Sequence, residues 1–326
     1  MSRIGVTTKY SFLVIISLAM ALLGLLTGPS NASFIDILEV LGGDKSSVIH
    51  TVIWDIRLPR VGVSLLAGGC LGLSGTLIQV STRSPLGDPN LFGIGGGAVI
   101  FMALMSAGVL STNQFGTMIG AIVSSTIVSI LLGLSVTQRN LSPIKLVIMG
   151  IGLGAITIAI ATALFSYARV FPTQLLGLIG GSFTTSSWNS FMFLLITISL
   201  CAFITLVLSS KLQVITLGDT LSRSLGVNPV TTRFLSMSLA GILAGAAVYA
   251  GGIVGFVGLI SPHIARRVFG YSAFHMSIGA TLVGSTIVIT SDQLARLLFS
   301  PIEIPVGLIT TLVGAPTMMY LAYRLK

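Results

Sequence analysis

The 326-residue chain is 53% hydrophobic and only 8% charged, with a mean hydropathy of +1.02. Globular domains carry about a quarter charged residues, so a soluble fold is excluded. The formal net charge of +9 is better explained by orientation in a bilayer than by affinity for nucleic acid, given where the charges fall.

Apolar runs of about 20 residues, the length that crosses a bilayer as a helix, recur from end to end. Ten can be counted: Tyr10–Gly28, Val61–Val80, Leu91–Leu110, Phe115–Val136, Leu146–Phe165, Phe191–Leu208, Phe234–Ala250, Gly251–Ala265, Met276–Ser291 and Val306–Tyr323. The eighth is short and full of glycine, which leaves nine or eleven open. The expected fold is all-α, a polytopic integral membrane protein with about ten transmembrane helices. Residues 1–326 form one transmembrane domain, with no soluble domain, internal repeat or linker. An even count puts both termini on one face. That face holds Arg3, Lys9, Arg83, Arg139, Lys145, Lys211, Arg223, Arg233, Arg266, Arg267, Arg324 and Lys326 against only Asp88 and Asp219. The other holds Lys45, Arg57, Arg60, Arg169 and Arg296 against Asp36, Glu39, Asp44, Asp55, Asp292 and Glu303. The positive-inside rule makes the first face, and both termini, cytoplasmic.

In chain order, Arg3 and Lys9 precede the first run and Ser30-Asn31-Ala32 follows it, much as in a signal peptide. An uncleaved first span suits a multi-span chain more simply. The outer loop Pro29–Arg60 ends in Asp55-Ile-Arg57-Leu-Pro59-Arg60, with Pro59 suited to the first turn of the second helix. Arg57 and Arg60 run against the general charge bias. They either snorkel toward headgroups or dock an acidic partner. Gly68, Gly69, Gly72, Ser74 and Gly75 permit close helix approach in the second span. Gln79 and the turn Arg83-Ser-Pro85-Leu-Gly87-Asp88-Pro89 follow. Gly93, Gly95, Gly96 and Gly97 are not a phosphate loop, since no strand precedes them and the spacing is wrong; they serve tight packing. Cys70 and Cys201 lie inside apolar runs, without CxxC or His–Cys spacing, as packed small side chains. The outer crossing Ser166–Asn189 carries Gly180-Gly181-Ser182, and Trp188 is placed for the interface.

The connector Ser209–Arg233 is mostly polar and contains Leu217–Val227, a short helix by its signals. Asp219 is a good N-cap, Leu221 and Leu225 lie one turn apart, and Gly226 is the expected C′ residue before Asn228-Pro229. A chain this apolar has little reason to build such a helix in a loop unless something docks there. On these residues alone a solvated connector is the competing reading. Gly251–Arg267 has glycine every three or four residues, then Ser-Pro262-His263, and cannot be a regular spanning helix. Irregular backbone at membrane depth requires cover from protein or a cavity. His263, beside Arg266 and Arg267, reads as a structural hydrogen-bonder rather than a proton carrier. Asp292 and Arg296 are spaced as an i,i+4 pair.

No GxxxxGK[ST], HExxH, GxSxG or Cys/His cluster occurs, so no catalytic residue, metal site or cofactor is assigned, and the sequence argues against an enzyme. Intramembrane carboxylate pairs, expected of an ion-driven pump, are also missing from the sequence. A stand-alone secondary transporter or channel remains, beside a permease powered by a separate ATPase.

Several ordered motifs decide between them: Arg57-Leu-Pro-Arg60; Ser74-Gly75 with Gln79 and Arg83-Ser-Pro85-Leu; Gly181-Ser182-Phe183; Leu217-Gly218-Asp219 with Leu225-Gly226-Val227; Gly255-Phe-Val-Gly-Leu-Ile-Ser-Pro262-His263 with Arg266; Asp292 to Arg296; and Glu303-Ile-Pro305-Val-Gly307 with Gly314-Ala-Pro316. Over almost its whole length the chain resembles the FecCD-type permeases of ABC importers for ferric siderophores, haem and cobalamin. The resemblance implies ten spans, a second permease subunit, identical or paralogous, and two cytoplasmic ATP-binding subunits. It also implies a periplasmic or lipid-anchored substrate-binding protein and a place in the cell (inner) membrane. By the same resemblance, Leu217, Gly218, Asp219, Leu221, Arg223, Leu225 and Gly226, within a coupling loop at about 209–233, meet the ATPase. Arg57, Arg60 and Arg296 meet acidic residues of the binding protein. Ferric siderophore is the first expectation for cargo, with haem or cobalamin as alternatives. The chain departs from the family pattern at Ser84 (usually Asn), Leu178 (commonly aromatic) and Ser222 (usually Ala). It departs again at Tyr271–Phe274, which lacks an acidic-histidine-basic cluster, and at Thr317 and Met318 (commonly aromatic).

Overall fold

The computed structural model describes residues 5–27, 40, 48–139, 143–169, 172–300 and 302–324. Its regular elements are helical throughout: α1 (Val6–Leu26), α2 (Leu58–Thr82), α3 (Ile94–Ser106), α4 (Gln114–Arg139), α5 (Pro143–Tyr167), α6 (Pro172–Gly180), α7 (Trp188–Val207), α8 (Ser209–Ile215), α9 (Asp219–Ser224), α10 (Pro229–Gly251), α11 (Val257–Phe269), α12 (Ala273–Leu297) and α13 (Val306–Arg324). Among the described residues seven helices are long and apolar enough to cross a membrane, and Ile94–Ser106 and Val306–Tyr320 are shorter apolar helices. The chain is a multi-pass membrane protein. Rows of exposed Ile, Leu and Phe, such as Ile15 and Leu18 on α1 or Phe203 and Val207 on α7, suit lipid rather than water. Lys45 and the Ser30-Asn31-Ala32 site lie outside the described residues.

Helix α2 is the central post, pairing most extensively with α12 and α10. Its small-residue stripe sets that closeness. A methyl group at Gly68, Gly72 or Gly75 would collide with the backbone carbonyls of Gly284, Ala280 and Gly258 respectively. Where lipid offers no hydrophobic drive between helices, such backbone-to-backbone packing holds the bundle together. Gly96 sits likewise on Thr157, and Gly97 on the backbone of Ser124 and Ser125, so the glycines opening α3 are packing devices. Cys70 and Cys201 are free and buried.

Three predicted boundaries shift. The end of the outer loop is helical, since Val48–Thr51 and a π-helical stretch Val52–Arg57 run directly into α2. Pro59 has no N–H and its ring crowds the carbonyl four residues back, which a widened turn relieves. The eighth run is broken: residues 252–256 are non-helical and α11 begins only at Val257. Gly252 (φ 69°) and, unusually for a residue with a side chain, Phe256 (φ 66°) turn the backbone there. The third run likewise becomes helical only at Ile94, after Gly93 at φ 72°. Within the outer crossing lies one further helix, α6.

Candidate functional site: the two ends of the bundle

At the end rich in basic residues, Leu208–Val227 folds as two short helices, α8 and α9, rather than one. Helix α9 starts at Gly218 (φ 115°), whose conformation only glycine adopts readily. Gly218, not Asp219, is therefore the N-cap. Asp219 instead sits in the first turn and turns its carboxylate sideways. It accepts from Arg233 Nη1 and Nη2 at 3.0 and 2.6 Å and from Arg83 Nη2. Arg83, left-handed at φ 52° at the end of α2, also donates through Nε to the carbonyl of Ile215 at 2.9 Å. Asp219 thus fastens α9 to the ends of both α2 and α10. Burial opposes ionisation of Asp219, but hydrogen bonds and charge from Arg233 and Arg83 outweigh it and hold the carboxyl below the usual carboxylate range. The unfolded pKa is about 3.9, so this stabilisation is complete above that value and is lost only as pH falls through the still lower folded value.

Ser222 is fully buried and donates to the carbonyls of Val214 and Gly218, at 3.0 and 2.6 Å. The departure from alanine therefore pins α9 to α8. Gly226 is left-handed at φ 77°, as expected of a C′ residue. Asn228 caps α10 by accepting from Val230 and Thr231 N–H, with Pro229 next. With one face of α9 tied down, the other presents Leu217, Leu221 and Leu225, which are 56, 55 and 57% exposed. Arg223 is exposed beside them. Three exposed leucines in a row on a polar loop form an apolar patch of the kind that interaction surfaces present.

The same end shows what sequence reasoning missed. Asp88, read as a cytoplasmic charge, is fully buried and accepts from the N–H groups of Asn90 and Leu91, each at 2.9 Å. The connector Arg83–Gly93 folds back into the bundle rather than crossing its surface. Gln79, 3% exposed, donates to the carbonyls of Gly87, Gly258 and Leu259 and accepts from Arg266. No local pattern announces these partners, which lie up to 187 residues away. Among the described residues the His263 side chain makes no hydrogen bond, contrary to expectation.

At the opposite end Arg57, Arg60 and Arg296 are 3, 7 and 8% exposed, so snorkelling does not describe them. Arg60 holds Asp292 through Nε and Nη2 and reaches Glu303 at 3.0 and 2.9 Å. Arg57 donates to the carbonyl of Leu25 at 2.6 Å, and Arg296 to those of Gly24 and Thr27 at 3.3 and 2.9 Å. These are the last carbonyls of α1, which lack helical partners and attract cations. The expected Asp292–Arg296 pair is replaced by Asp292–Arg60, because a forked guanidinium gripping a buried carboxylate outcompetes an i,i+4 contact. Trp188 donates to the carbonyl of Trp54, and the two rings meet tilted by 43° with centroids 5.4 Å apart.

Beside that end, three distant motifs meet. Ser182 N–H donates to Gly251 O, Ile253 N–H to Leu178 O, and Val306 N–H to Gly181 O. Gly181 adopts φ 77° there, and Pro305 and Gly307 pack on Gly180. Beside this knot is a cavity of about 460 Å3 lined by Ser182, Thr184, Thr185, Tyr249 and Gly252. Broken backbone lining a cavity is how transporters build their pathways. Among the described residues no group of three His, Cys, Asp or Glu could hold a metal ion.

Helices wound about a glycine-packed post, broken backbone beside a cavity and an apolar helix offered at one end define a membrane transport subunit. Residues 13–324 match the FecCD transport family, and the chain belongs to that family. It is 32% identical to the Fe(3+)-citrate import system permease protein YfmE of Bacillus subtilis, over 87% of this chain and 85% of that one. With the hemin transport system permease protein HmuU of Yersinia pestis it shares 30% identity over 99% and 97% of the two chains. A metal-chelate type ABC transporter solved in an inward-facing conformation superposes with a TM-score of 0.80 at 29% identity, covering 96% of this chain and 98% of that one.

Proposed function

We propose that the chain is the permease subunit of an ATP-driven importer in the cytoplasmic membrane, moving a ferric siderophore by alternating access along a path between two permease subunits. ATP hydrolysis belongs to a separate pair of cytoplasmic subunits, and a substrate-binding protein delivers cargo to the outer face. The observation that carries the reading is the leucine face of α9, offered to a partner while Asp219, Arg83 and Arg233 hold its other side to the bundle. A push on α9 from an ATPase would reach α2 and α10 through those ion pairs. At the outer face Arg57, Arg60 and Arg296 set the positions of the ends of α1, α2 and α12. An acidic residue of the binding protein would reach Arg60 by displacing Glu303, the more exposed of its two partners. Co-purification of a Walker-containing ATPase separates this function from a stand-alone transporter.

The topology has its own test. In a background lacking Cys70 and Cys201, cysteines at Ser111 and Lys211, both exposed, should label unequally with an impermeant thiol reagent on intact cells. Ser111→Cys should react and Lys211→Cys should not, and equal labelling would overturn the orientation.

A further inference from the structure

Two of the chain's departures from the family pattern, Ser84 and the segment Tyr271–Phe274, border one cavity of about 270 Å3 at the basic end. Its wall includes Gln79, Arg83, Ser84, Gln213, Arg266 and Tyr271. A shallower recess on the far side of Gln213 and Tyr271 adds Ser209, Ser210 and Ser272. The charges at this wall do not balance. Arg83, on the wall, shares its one carboxylate, Asp219, with Arg233, which lies outside the lining. Arg266 has no acidic partner among the described residues. It donates to Gln79 Oε1 at 3.2 Å, and its Cζ lies 5.9 Å from the Tyr271 ring centroid. In the stretch that lacks the family's acidic-histidine-basic cluster, Tyr271 is 80% exposed. A half-buried guanidinium without a counter-charge is costly. Hydroxyls, amides and a forked cation around one hollow make a phosphate site.

We propose that this cavity binds a phosphate group, with Arg266 as the principal cation and Arg83, Ser84 and Gln213 at its sides. Basic pockets between helices at the cytoplasmic surface suit anionic lipid headgroups, and free phosphate carries the same chemistry. The proposal concerns the permease alone and does not depend on what the chain transports.

The test uses the full-length chain in nanodiscs of phosphatidylcholine, with or without phosphatidylglycerol. Unfolding midpoints and lipids retained in native mass spectrometry are read for wild type, Arg266→Gln and Tyr271→Asp. The second variant alters an exposed residue and supplies the missing carboxylate, so it should fold and fill the site from within. Wild type should be stabilised by phosphatidylglycerol if the source is lipid. In pure phosphatidylcholine it should be stabilised by inorganic phosphate, against chloride at equal ionic strength, if the source is soluble. Either response should fall about fivefold in apparent affinity in both variants, as expected for losing one cation's share. No response in wild type, or an equal response in both variants, would overturn the proposal. So would loss of ATPase co-purification in the variants with the phosphate and lipid responses unchanged, which would assign the cavity to an acidic protein segment.

Discussion

Leu221→Asp and Gly226→Val are expected to abolish uptake of a ferric chelate while the protein still inserts and the outer face still receives its binding protein. Leu221 is 55% exposed in the isolated chain, so a carboxylate there costs the fold little. In a protein–protein contact the same carboxylate would be buried without a partner, at a cost of several kcal/mol. ATPase retention in a pull-down should therefore fall with uptake. Gly226 acts differently. Nothing lies within 4 Å of where its side chain would begin, so there is no clash to relieve. Its φ of 77° is the obstacle, because a β-branched residue there is strained by roughly 1–2 kcal/mol. The turn joining α9 to α10 would shift, and the leucine face with it. Arg223→Glu, at the rim, should act in the same direction and more weakly. Wild-type ATPase retention and uptake in Leu221→Asp would remove α9 from the coupling path.

The second large effect is expected at the opposite end. Arg60→Glu places a third carboxylate against Asp292, which is fully buried, and Glu303. Breaking a buried ion pair costs about 3–5 kcal/mol, and the added repulsion increases this, so the unfolding midpoint in detergent should drop sharply. That result alone would not distinguish a docking arginine from a structural one. Glu303→Gln does. Glu303 is a third exposed, and neutralising it leaves the Asp292 pair intact while freeing one edge of Arg60. If Arg60 meets an acidic partner, binding-protein association should strengthen at low salt. Unchanged association at every salt concentration would leave Arg60 with its structural role alone.

The seven long apolar helices were legible because hydropathy reports such runs directly, whereas short loop helices such as α6 and α8 were not. The breaks in the third and eighth runs were legible through glycine. Their position was less so, since Phe256 at φ 66° is a conformation that its residue type argues against. At the candidate site, Leu221, Leu225 and Gly226 could be read from local spacing, and in the structure both leucines are exposed and Gly226 is left-handed. The polar residues could not. Asp219 looked like a cap because capping is a local interaction, yet its partners are Arg83 and Arg233, brought in from the ends of two other helices. Asp292 looked like a partner for Arg296 for the same reason, and Arg60, 232 positions away, takes it instead. Inside a bundle, charge finds charge across helices, and sequence spacing says little about which.

The most direct measurement places a photo-crosslinking residue at Leu221 in the chain expressed with its neighbouring subunits in native membranes. The leucine face of α9 should yield a crosslink to a protein carrying a Walker A motif, and the yield should change when that protein is trapped with ATP. The same probe at Ser222, buried against α8, should yield none. A crosslink-free Leu221 position in membranes that still import the chelate would contradict the account.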